Sequence, residues 1–219
     1  MSFVEIVYHP LTRNRLLRLG DLRQIAAELL AGRLVVLPTE TGYLLGADAL
    51  NAEGVDRVFA AKGRPVNNPI HAAVPDVEAA ARLVYLDGDA ERLLRAFCPG
   101  PMTVVCRKRE HVSDLLVAGT GNLGIRIPDN AATLQVLAHV QRPVTATSLN
   151  LSGTAPAPGT DLAAIIREMV WSEPVTLHVV VDEQAVSYAK PSTLVAVDPL
   201  RILREGPIGE AEIRAALLV

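Results

Sequence analysis

The sequence contains little cysteine and few aromatic residues, and it lacks long apolar runs. Its two cysteines, Cys98 and Cys106, are too far apart for a CxxC motif and too few for a disulfide framework, which favours a reducing compartment. No apolar run approaches the roughly 20 residues that a membrane-spanning helix needs. The N-terminal segment has an early acidic residue and no uninterrupted apolar stretch, unlike a signal peptide. We therefore expect a cytoplasmic protein.

The motifs of several common enzyme classes are also missing. There is no GxxxxGK[ST] phosphate loop, no HExxH zinc motif and no GxSxG nucleophile elbow. The five histidines are scattered singly, so no histidine metal site is indicated. Residues 119–124 match GxGxxG, but the residues that follow are extended and end in Pro128 instead of opening a helix. This context argues against a dinucleotide-binding fold.

Hydrophobic residues make up 50% of the 219-residue chain, enough to bury a sizeable core in a single domain spanning residues 1–219. Helical apolar spacing predicts helices over 22–30, 55–62, 89–97, 131–140, 162–170 and 210–217, the first capped by Asp21. Short apolar runs predict strands over 34–37, 70–74, 102–106, 123–127, 144–146, 177–181, 193–197 and 202–203. This interleaving predicts a layered α/β fold with a twisted sheet.

Polar clusters interrupt the apolar pattern at the ends of predicted elements, where α/β proteins place ligands. The first, PTETGY at residues 38–43, separates two apolar segments without an obvious structural reason. The others are KGRPVNNP at 62–69, Arg126 with Pro128, TATSLNLSG at 145–153, PST at 191–193 and REGP at 204–207. Residues 152–160 form a polar loop that is either a flap over a site or a surface connection.

Each cluster also has a purely structural explanation. Lys62 and Arg64 fall near a helix C-terminus, where cations offset the helix dipole, although their stiff loop also suits polyphosphate. Ser148 and Asn150 are ordinary turn formers. Arg126 lies between Ile125 and Ile127, so an alternating strand points it away from two apolar side chains, and a partly buried arginine usually has an anionic partner.

Seven blocks of the sequence together resemble the YrdC/YciO family of threonylcarbamoyl-AMP synthases. They occur in the order and approximate spacing of that family and cover nearly the whole chain. The blocks are PTETGYLLGADA, KGRPVNNPI, CPGPMTVV, GIRIPDN, TSLNLSG, PSTLVAV and LREGP. The end of the chain resembles the short, YrdC-type members that have no additional C-terminal domain.

The resemblance implies an open, twisted, mixed sheet with flanking helices and a large concave cleft. It also implies an L-threonylcarbamoyladenylate synthase, a nucleotidyltransferase that forms threonylcarbamoyl-AMP and pyrophosphate from L-threonine, bicarbonate and ATP. In that pathway, partner proteins transfer the threonylcarbamoyl group to tRNA. Mg²⁺ would accompany ATP, mostly through phosphate oxygens and water, so a dedicated metal motif is not expected.

The family pattern assigns roles to ten residues of this chain. Lys62 and Arg64 are the expected catalytic cations, because phosphoryl transfer depends mainly on positioning and charge neutralisation. The expected ATP-binding residues are Lys62, Arg64, Asn68, Ser148, Asn150 and Arg204. The expected threonine-binding residues are Thr39, Arg126, Ala146 and Ser192, with Arg126 pairing the substrate carboxylate.

Some positions depart from the synthase pattern and keep other functions open. Many members read TVYGLG where this chain has TGYLLG, and some have a histidine where it has Ala73, two residues after His71. An alternative is a YciO-type protein that binds double-stranded RNA or ribosomes, with phosphate contacts from Arg107-Lys108-Arg109 and from the set Arg13, Arg15, Arg18 and Arg23, although a solvated basic face is the simpler interpretation. The net charge of −3 does not indicate a nucleic-acid binder. A binding protein without turnover is a third option.

Overall fold

A computed structural model describes residues 4–154 and 161–218. Within these residues, ten strands form one sheet in the order β1-β8-β2-β3-β7-β4-β6-β5-β9-β10. The sheet is mixed, with neighbouring strands running parallel in some pairs and antiparallel in others. The strands are β1 (Val4–Pro10), β2 (Val35–Thr39), β3 (Gly42–Gly46), β4 (His71–Ala73), β5 (Met102–Arg107), β6 (Asn122–Arg126), β7 (Val144–Ser148), β8 (Val175–Val181), β9 (Thr193–Val197) and β10 (Leu200–Arg204).

Helices cover both faces of this sheet. They are α1 (Leu19–Leu30), α2 (Ala52–Lys62), α3 (Val77–Ala81), α4 (Gly88–Phe97), α5 (Ala131–Val140), α6 (Leu162–Glu168) and α7 (Glu210–Leu217). Among the described residues, none of these helices is long and apolar enough to cross a membrane. The α/β class with a mixed, twisted sheet, expected from the sequence, is therefore confirmed.

Two hydrophobic clusters divide the core according to the alternation of the strands. In β2, Val35 and Leu37 join one cluster, whereas Val36 joins the other. The first cluster also contains buried residues of α1 and α5, and the second contains buried residues of α2, α3, α4, α6 and α7. A strand covered on both faces reads as a continuous apolar run, which explains why the sequence of β2 shows no alternation.

Most predicted elements agree with the structure to within a few residues, and α5, α7 and β9 agree at both ends. Strand β1, strand β3 and the five-residue helix α3 were not predicted. The predicted cap of the first helix is wrong. The helix begins at Leu19, before Asp21, and Arg18 at its N-cap makes no side-chain hydrogen bond. Asp21 instead accepts a hydrogen bond from His9 at 2.9 Å, a partner distant in sequence.

The unexplained break at residues 38–43 is a tight hairpin. β2 continues through Pro38 to Thr39, β3 begins at Gly42, and Thr39 pairs with Gly42 across the turn. Glu40 and Thr41 therefore form the tip of the hairpin. Pro38 is tolerated in a strand because the pairing of β2 with β8 ends at Val36. The polar residues thus turn the chain between two buried strands, and they lie where β2 ends and β3 begins.

Candidate active-site cleft

On the face of the sheet that carries α1 and α5, no described helix covers strands β5, β6 and β9, and a cleft lies there. In the described chain, the strand residues of the cluster that contains α1 and α5 come from β2, β3, β4, β7 and β8, and none come from β5, β6 or β9. On that face β6 and β5 carry Arg126 and Thr103, whereas their neighbours Ile125 and Val104 are buried on the other face. Strand alternation therefore turns polar side chains toward this face, as predicted for Arg126.

The cleft holds a cavity of about 140 Å³ that brings together seven of the ten residues predicted from the family pattern. These seven are Thr39, Arg64, Arg126, Ala146, Ser148, Ser192 and Arg204. Lys62, Asn68 and Asn150 are not among the lining residues, although each contacts one that is. Thr41, His71 and Thr103 also line the cavity and were not among the predicted residues. Their polarity within or beside apolar strands was the only available signal.

Arg126 is held at the tip of the hairpin by several oxygens. Its Nη2 donates to Glu40 Oε1 at 3.0 Å, to Thr41 Oγ1 at 2.5 Å and to Thr39 Oγ1 at 3.2 Å. The side chains of Arg126 and Glu40 are 12% and 2% exposed, so the ion pair is largely removed from water. Arg126 Nε is buried without a hydrogen-bond partner in the described structure. Nη2 is therefore fixed by the hairpin, and Arg126 lines the cleft.

Glu40 links three parts of the chain, which gives a function to a residue that the sequence left unassigned. Its Oε2 accepts from the backbone N–H of Asp129 at 3.0 Å, in the loop after β6. Its backbone oxygen accepts from Ser187 and Tyr188 at 2.8 and 3.0 Å. A buried carboxylate needs such partners, and together they align Arg126, the hairpin and the segment that leads to Ser192.

Arg204 and Ser192 form a second fixed edge of the cleft. Arg204 donates through Nε and Nη2 to the Ser192 backbone oxygen at 3.1 and 2.9 Å, and through Nη2 to Ser192 Oγ at 3.1 Å. Ser192 Oγ also lies 2.8 Å from Thr103 Oγ1. The hydroxyls of two strand ends are thus fixed beside the guanidinium of Arg204.

Arg64 also lines the cleft and is held by its own loop. Its Nε donates to the Asn68 backbone oxygen at 3.0 Å, and its Nη2 donates to Asn68 Oδ1 at 2.9 Å and to the Pro69 oxygen at 2.7 Å. Asn68 therefore shapes the arginine loop. Among the described residues, neither Arg64 nor Arg204 forms a salt bridge with a carboxylate. Their positive charges are left without a nearby protein anion, which makes the cleft suited to an anionic ligand.

Lys62 is one of the most deeply buried residues, at 1% exposure, and its ammonium is used within the protein. Its Nζ donates to the backbone oxygens of Ser148 and Asn150 and to Asn150 Oδ1. Burial, with a smaller contribution from Arg64, lowers the pKa of Lys62 to about 8. The lysine thus holds together the loop after β7, whose Ser148 lines the cleft. Residues 155–160 of the predicted flap lie outside the described residues.

The sequence and the fold of this chain match a known group of proteins. A profile of the Sua5, YciO and YrdC proteins, described as "Telomere recombination", matches residues 27–206. The chain belongs to the Sua5/YciO/YrdC family. It is 39% identical over 133 residues to threonylcarbamoyl-AMP synthase of Pyrococcus abyssi, covering 60% of this chain and 39% of that protein. It is 29% identical to a putative threonylcarbamoyl-AMP synthase of Methanocaldococcus jannaschii, covering 90% of this chain and 95% of that protein.

The fold agrees with a solved structure of the same family. A crystal structure of Pyrococcus abyssi Sua5 complexed with L-threonine superposes with a TM-score of 0.82 at 30% identity, covering 99% of this chain and 61% of that one. This chain therefore spans less than two thirds of the Pyrococcus abyssi protein. The family fold accounts for the sheet and the cleft described above.

The family block LREGP contains Gly206, and the packing around this residue leaves no room for a side chain. A Cβ added at Gly206 would lie 2.3 Å from the Thr193 nitrogen and 2.6 Å from the Pro191 oxygen. Both atoms belong to backbone, which cannot move without displacing Ser192. The turn after Arg204 therefore passes directly against the segment that carries Ser192.

Gly206→Ala should lower the free energy of unfolding by about 1 to 3 kcal/mol, because the added carbon overpacks this contact. The comparison is with Gly20→Ala, where the added carbon meets no atom within 4 Å. Urea unfolding of both variants measures the difference. Equal stability of Gly206→Ala and the unmodified protein would contradict the close approach.

Proposed function

We propose that this chain is an L-threonylcarbamoyladenylate synthase, which converts L-threonine, bicarbonate and ATP into threonylcarbamoyl-AMP and pyrophosphate. The observation that carries the proposal is the cleft itself, where Arg64, Arg126 and Arg204 converge. The synthase names of the relatives support the same activity. The threonylcarbamoyl group would then pass to tRNA with the help of partner proteins.

Threonine would bind beside the hairpin. Its carboxylate would pair with Arg126, whose Nη2 is already oriented by Glu40 and the hairpin threonines. Thr39, Ala146 and Ser192 line the same cavity and would contact the rest of the amino acid. The threonine bound to the related Pyrococcus abyssi Sua5 supports this choice of substrate.

ATP would occupy the part of the cleft between Arg64 and Arg204. In the reaction, a carbamate oxygen forms a bond to the α-phosphorus while the bond to the pyrophosphate oxygen breaks. Negative charge is spread over the phosphate oxygens, so fixed cations without protein anions are the groups that lower the barrier. Ser148 would contribute a hydroxyl from the end of β7.

Lys62, Asn68 and Asn150 would support these groups from behind the cleft lining. Lys62 and Asn150 hold the loop of Ser148, and Asn68 holds the guanidinium of Arg64. Lys62 was expected from the family pattern to contact phosphate directly. We propose instead that it acts by positioning, because all the hydrogen bonds of its ammonium go to the loop in the described structure.

Mg²⁺ would enter with ATP. The cavity lining contains no carboxylate, and the described residues include no cluster of three or more His, Cys, Asp or Glu side chains that is able to hold a metal. We propose that the ion is bound by phosphate oxygens and water, as is common for Mg²⁺.

Pyrophosphate release is expected only when ATP, threonine and bicarbonate are all present. Arg204→Ala should reduce kcat/KM by about 100-fold or more, since it removes a cation from the site of charge development. Arg95→Ala is the matched control, because Arg95 lies on the surface of α4 and pairs with Glu91. Release that does not depend on threonine would refute the proposal, and threonine binding without any turnover would favour a binding protein.

RNA binding is the alternative from the sequence, and one of its two basic sets, residues 107–109, is already engaged within the protein. The Cζ atoms of Arg107 and Arg109 lie 5.2 and 4.6 Å from the ring centre of Tyr85. Lys108 pairs with Asp114 at 3.1 Å. These contacts do not favour a free phosphate-binding strip. Salt-sensitive binding of double-stranded RNA, without threonine-dependent pyrophosphate release, would favour the alternative.

A cytoplasmic setting is part of the proposal. Both cysteines are free thiols, and burial raises the pKa of Cys98 and of Cys106 to about 12. Such thiols are unreactive at neutral pH. The protein would therefore need neither a disulfide nor a reactive cysteine for the proposed reaction.

A further inference from the structure

His71 is a polar residue of the cleft with no role in the mechanism so far. It lies in β4 beside Ala146 of β7, and both residues line the cavity. A Cβ added at Gly124 of β6 would lie 2.2 Å from His71 Nδ1. The imidazole therefore occupies the space that a side chain at Gly124 would fill. This glycine is the last residue of the GxGxxG match, and its lack of a side chain leaves room for the imidazole ring.

The two ring nitrogens of His71 differ in their surroundings. Nδ1 is buried and has no hydrogen-bond partner in the described residues. Because Nδ1 lies against Gly124 while the residue lines the cavity, Nε2 is the nitrogen available to a ligand. Burying a polar atom without a partner is unfavourable. An apolar residue would pack here without that cost, so simple packing does not explain a histidine.

The charges around His71 keep it neutral. Burial, together with Arg204, Arg64 and Arg126, lowers the pKa of His71 to about 4. The Glu40 carboxylate, at the tip of the hairpin, is already paired with Arg126. A bound polyphosphate would offset the charges of Arg64 and Arg204, neither of which pairs with a carboxylate among the described residues. The imidazole would then be a stronger base in the filled cleft than in the empty one.

We propose that His71 Nε2 accepts the proton released when the threonine amine is carboxylated. The inference rests on the proposed synthase function. Threonine as its ammonium form and bicarbonate give the carbamate, one water and one proton: the C–N bond forms, a C–O bond of bicarbonate breaks, and the water leaves. The amine loses two protons, one to the departing water and one to Nε2. The carbamate is then free to attack the α-phosphorus, and the imidazolium later returns its proton to solvent.

The test compares His71→Gln with the unmodified protein in threonine- and bicarbonate-dependent pyrophosphate release. His71→Gln should lower kcat by about 100-fold, the lower range for a general base, and leave the ATP Kd and the threonine KM within about threefold. The rise of kcat with pH on the acidic side should disappear in the variant. His139→Gln on the exposed side of α5 is the matched control and should retain kcat.

Outcomes for the proposed function and for His71 are separable. If the unmodified protein shows no threonine-dependent release, the proposed function fails. If it is active and His71→Gln keeps kcat and its pH profile, only the role of His71 is overturned. Should His71→Gln not fold, a nuclear magnetic resonance titration of the unmodified protein decides. The pKa of His71 should rise when a non-hydrolysable ATP analogue binds, and an unchanged pKa overturns the inference.

Discussion

Replacing Arg126 with alanine is expected to lower the free energy of unfolding by about 3 to 5 kcal/mol at neutral pH, because it strands a buried carboxylate. Glu40 is 2% exposed and would keep only the Asp129 N–H as a partner for its side chain. Urea unfolding of Arg126→Ala measures the loss. Arg95→Ala on the surface of α4 is the control and should change stability by about 0.5 kcal/mol or less.

The same substitution should also raise the threonine Kd by about 100-fold, equal to about 2.7 kcal/mol, since the substrate carboxylate loses a charge-assisted partner. The double variant Arg126→Ala/Glu40→Gln separates the two effects. Neutralising Glu40 should restore part of the lost stability without restoring threonine binding. An unchanged threonine Kd in the folded double variant would remove Arg126 from the threonine site.

Lys62→Met is expected to have the second largest effect. It removes three hydrogen bonds of the ammonium and leaves the Asn150 backbone oxygen without its donor, whereas the Ser148 oxygen keeps the Asn150 N–H. A hydrogen bond to a charged group contributes about 1.5 to 3 kcal/mol. The free energy of unfolding should therefore fall by about 2 to 4 kcal/mol at pH 7, after some gain from the apolar side chain. Lys190→Met is the control, because Lys190 is exposed. Equal losses in both variants would contradict the role of Lys62 in holding the loop.

The pH dependence of the same pair of variants gives an independent check. The pKa of Lys62 is about 8 in the folded chain and 10.5 in its reference state. Between these values the folded chain binds fewer protons than the unfolded chain, so the unfolding free energy rises with pH. Relative to Lys62→Met, the unmodified protein should gain up to about 3 kcal/mol between pH 8 and pH 10.5. A constant difference over this range would show that the ammonium is not destabilised by burial.

Local patterns predicted most of the helices because their signals lie within a few residues. Asn51 and Asn130 accept hydrogen bonds from the backbone N–H groups three residues later, and α2 ends at Gly63. Elements with weak local signals were missed. α3 has five residues, and β3 is a short strand with glycine at both ends. Asp21 looked like a cap because the sequence could not reveal that its partner is His9.

The candidate site was predictable in part for the same reason. Seven of the ten residues taken from the family pattern line one cavity, because polar clusters at strand ends meet where the strands adjoin. Lys62 does not line the cavity in the described structure. The sequence around a lysine at the end of a helix does not show whether its ammonium points into a cleft or onto backbone oxygens. Only the position of the loop after β7 distinguishes the two cases.

The sequence alone determined the alternation that directs Arg126 away from the core, the α/β class and the blocks that reveal the family. The tertiary structure decided which strands are neighbours. β4 lies between β7 and β6 in the sheet, although neither strand adjoins it in the sequence. That order brings His71 against Gly124 and Arg126 onto Glu40. Such contacts depend on the non-local pairing of strands, which the apolar periodicity of single segments does not specify.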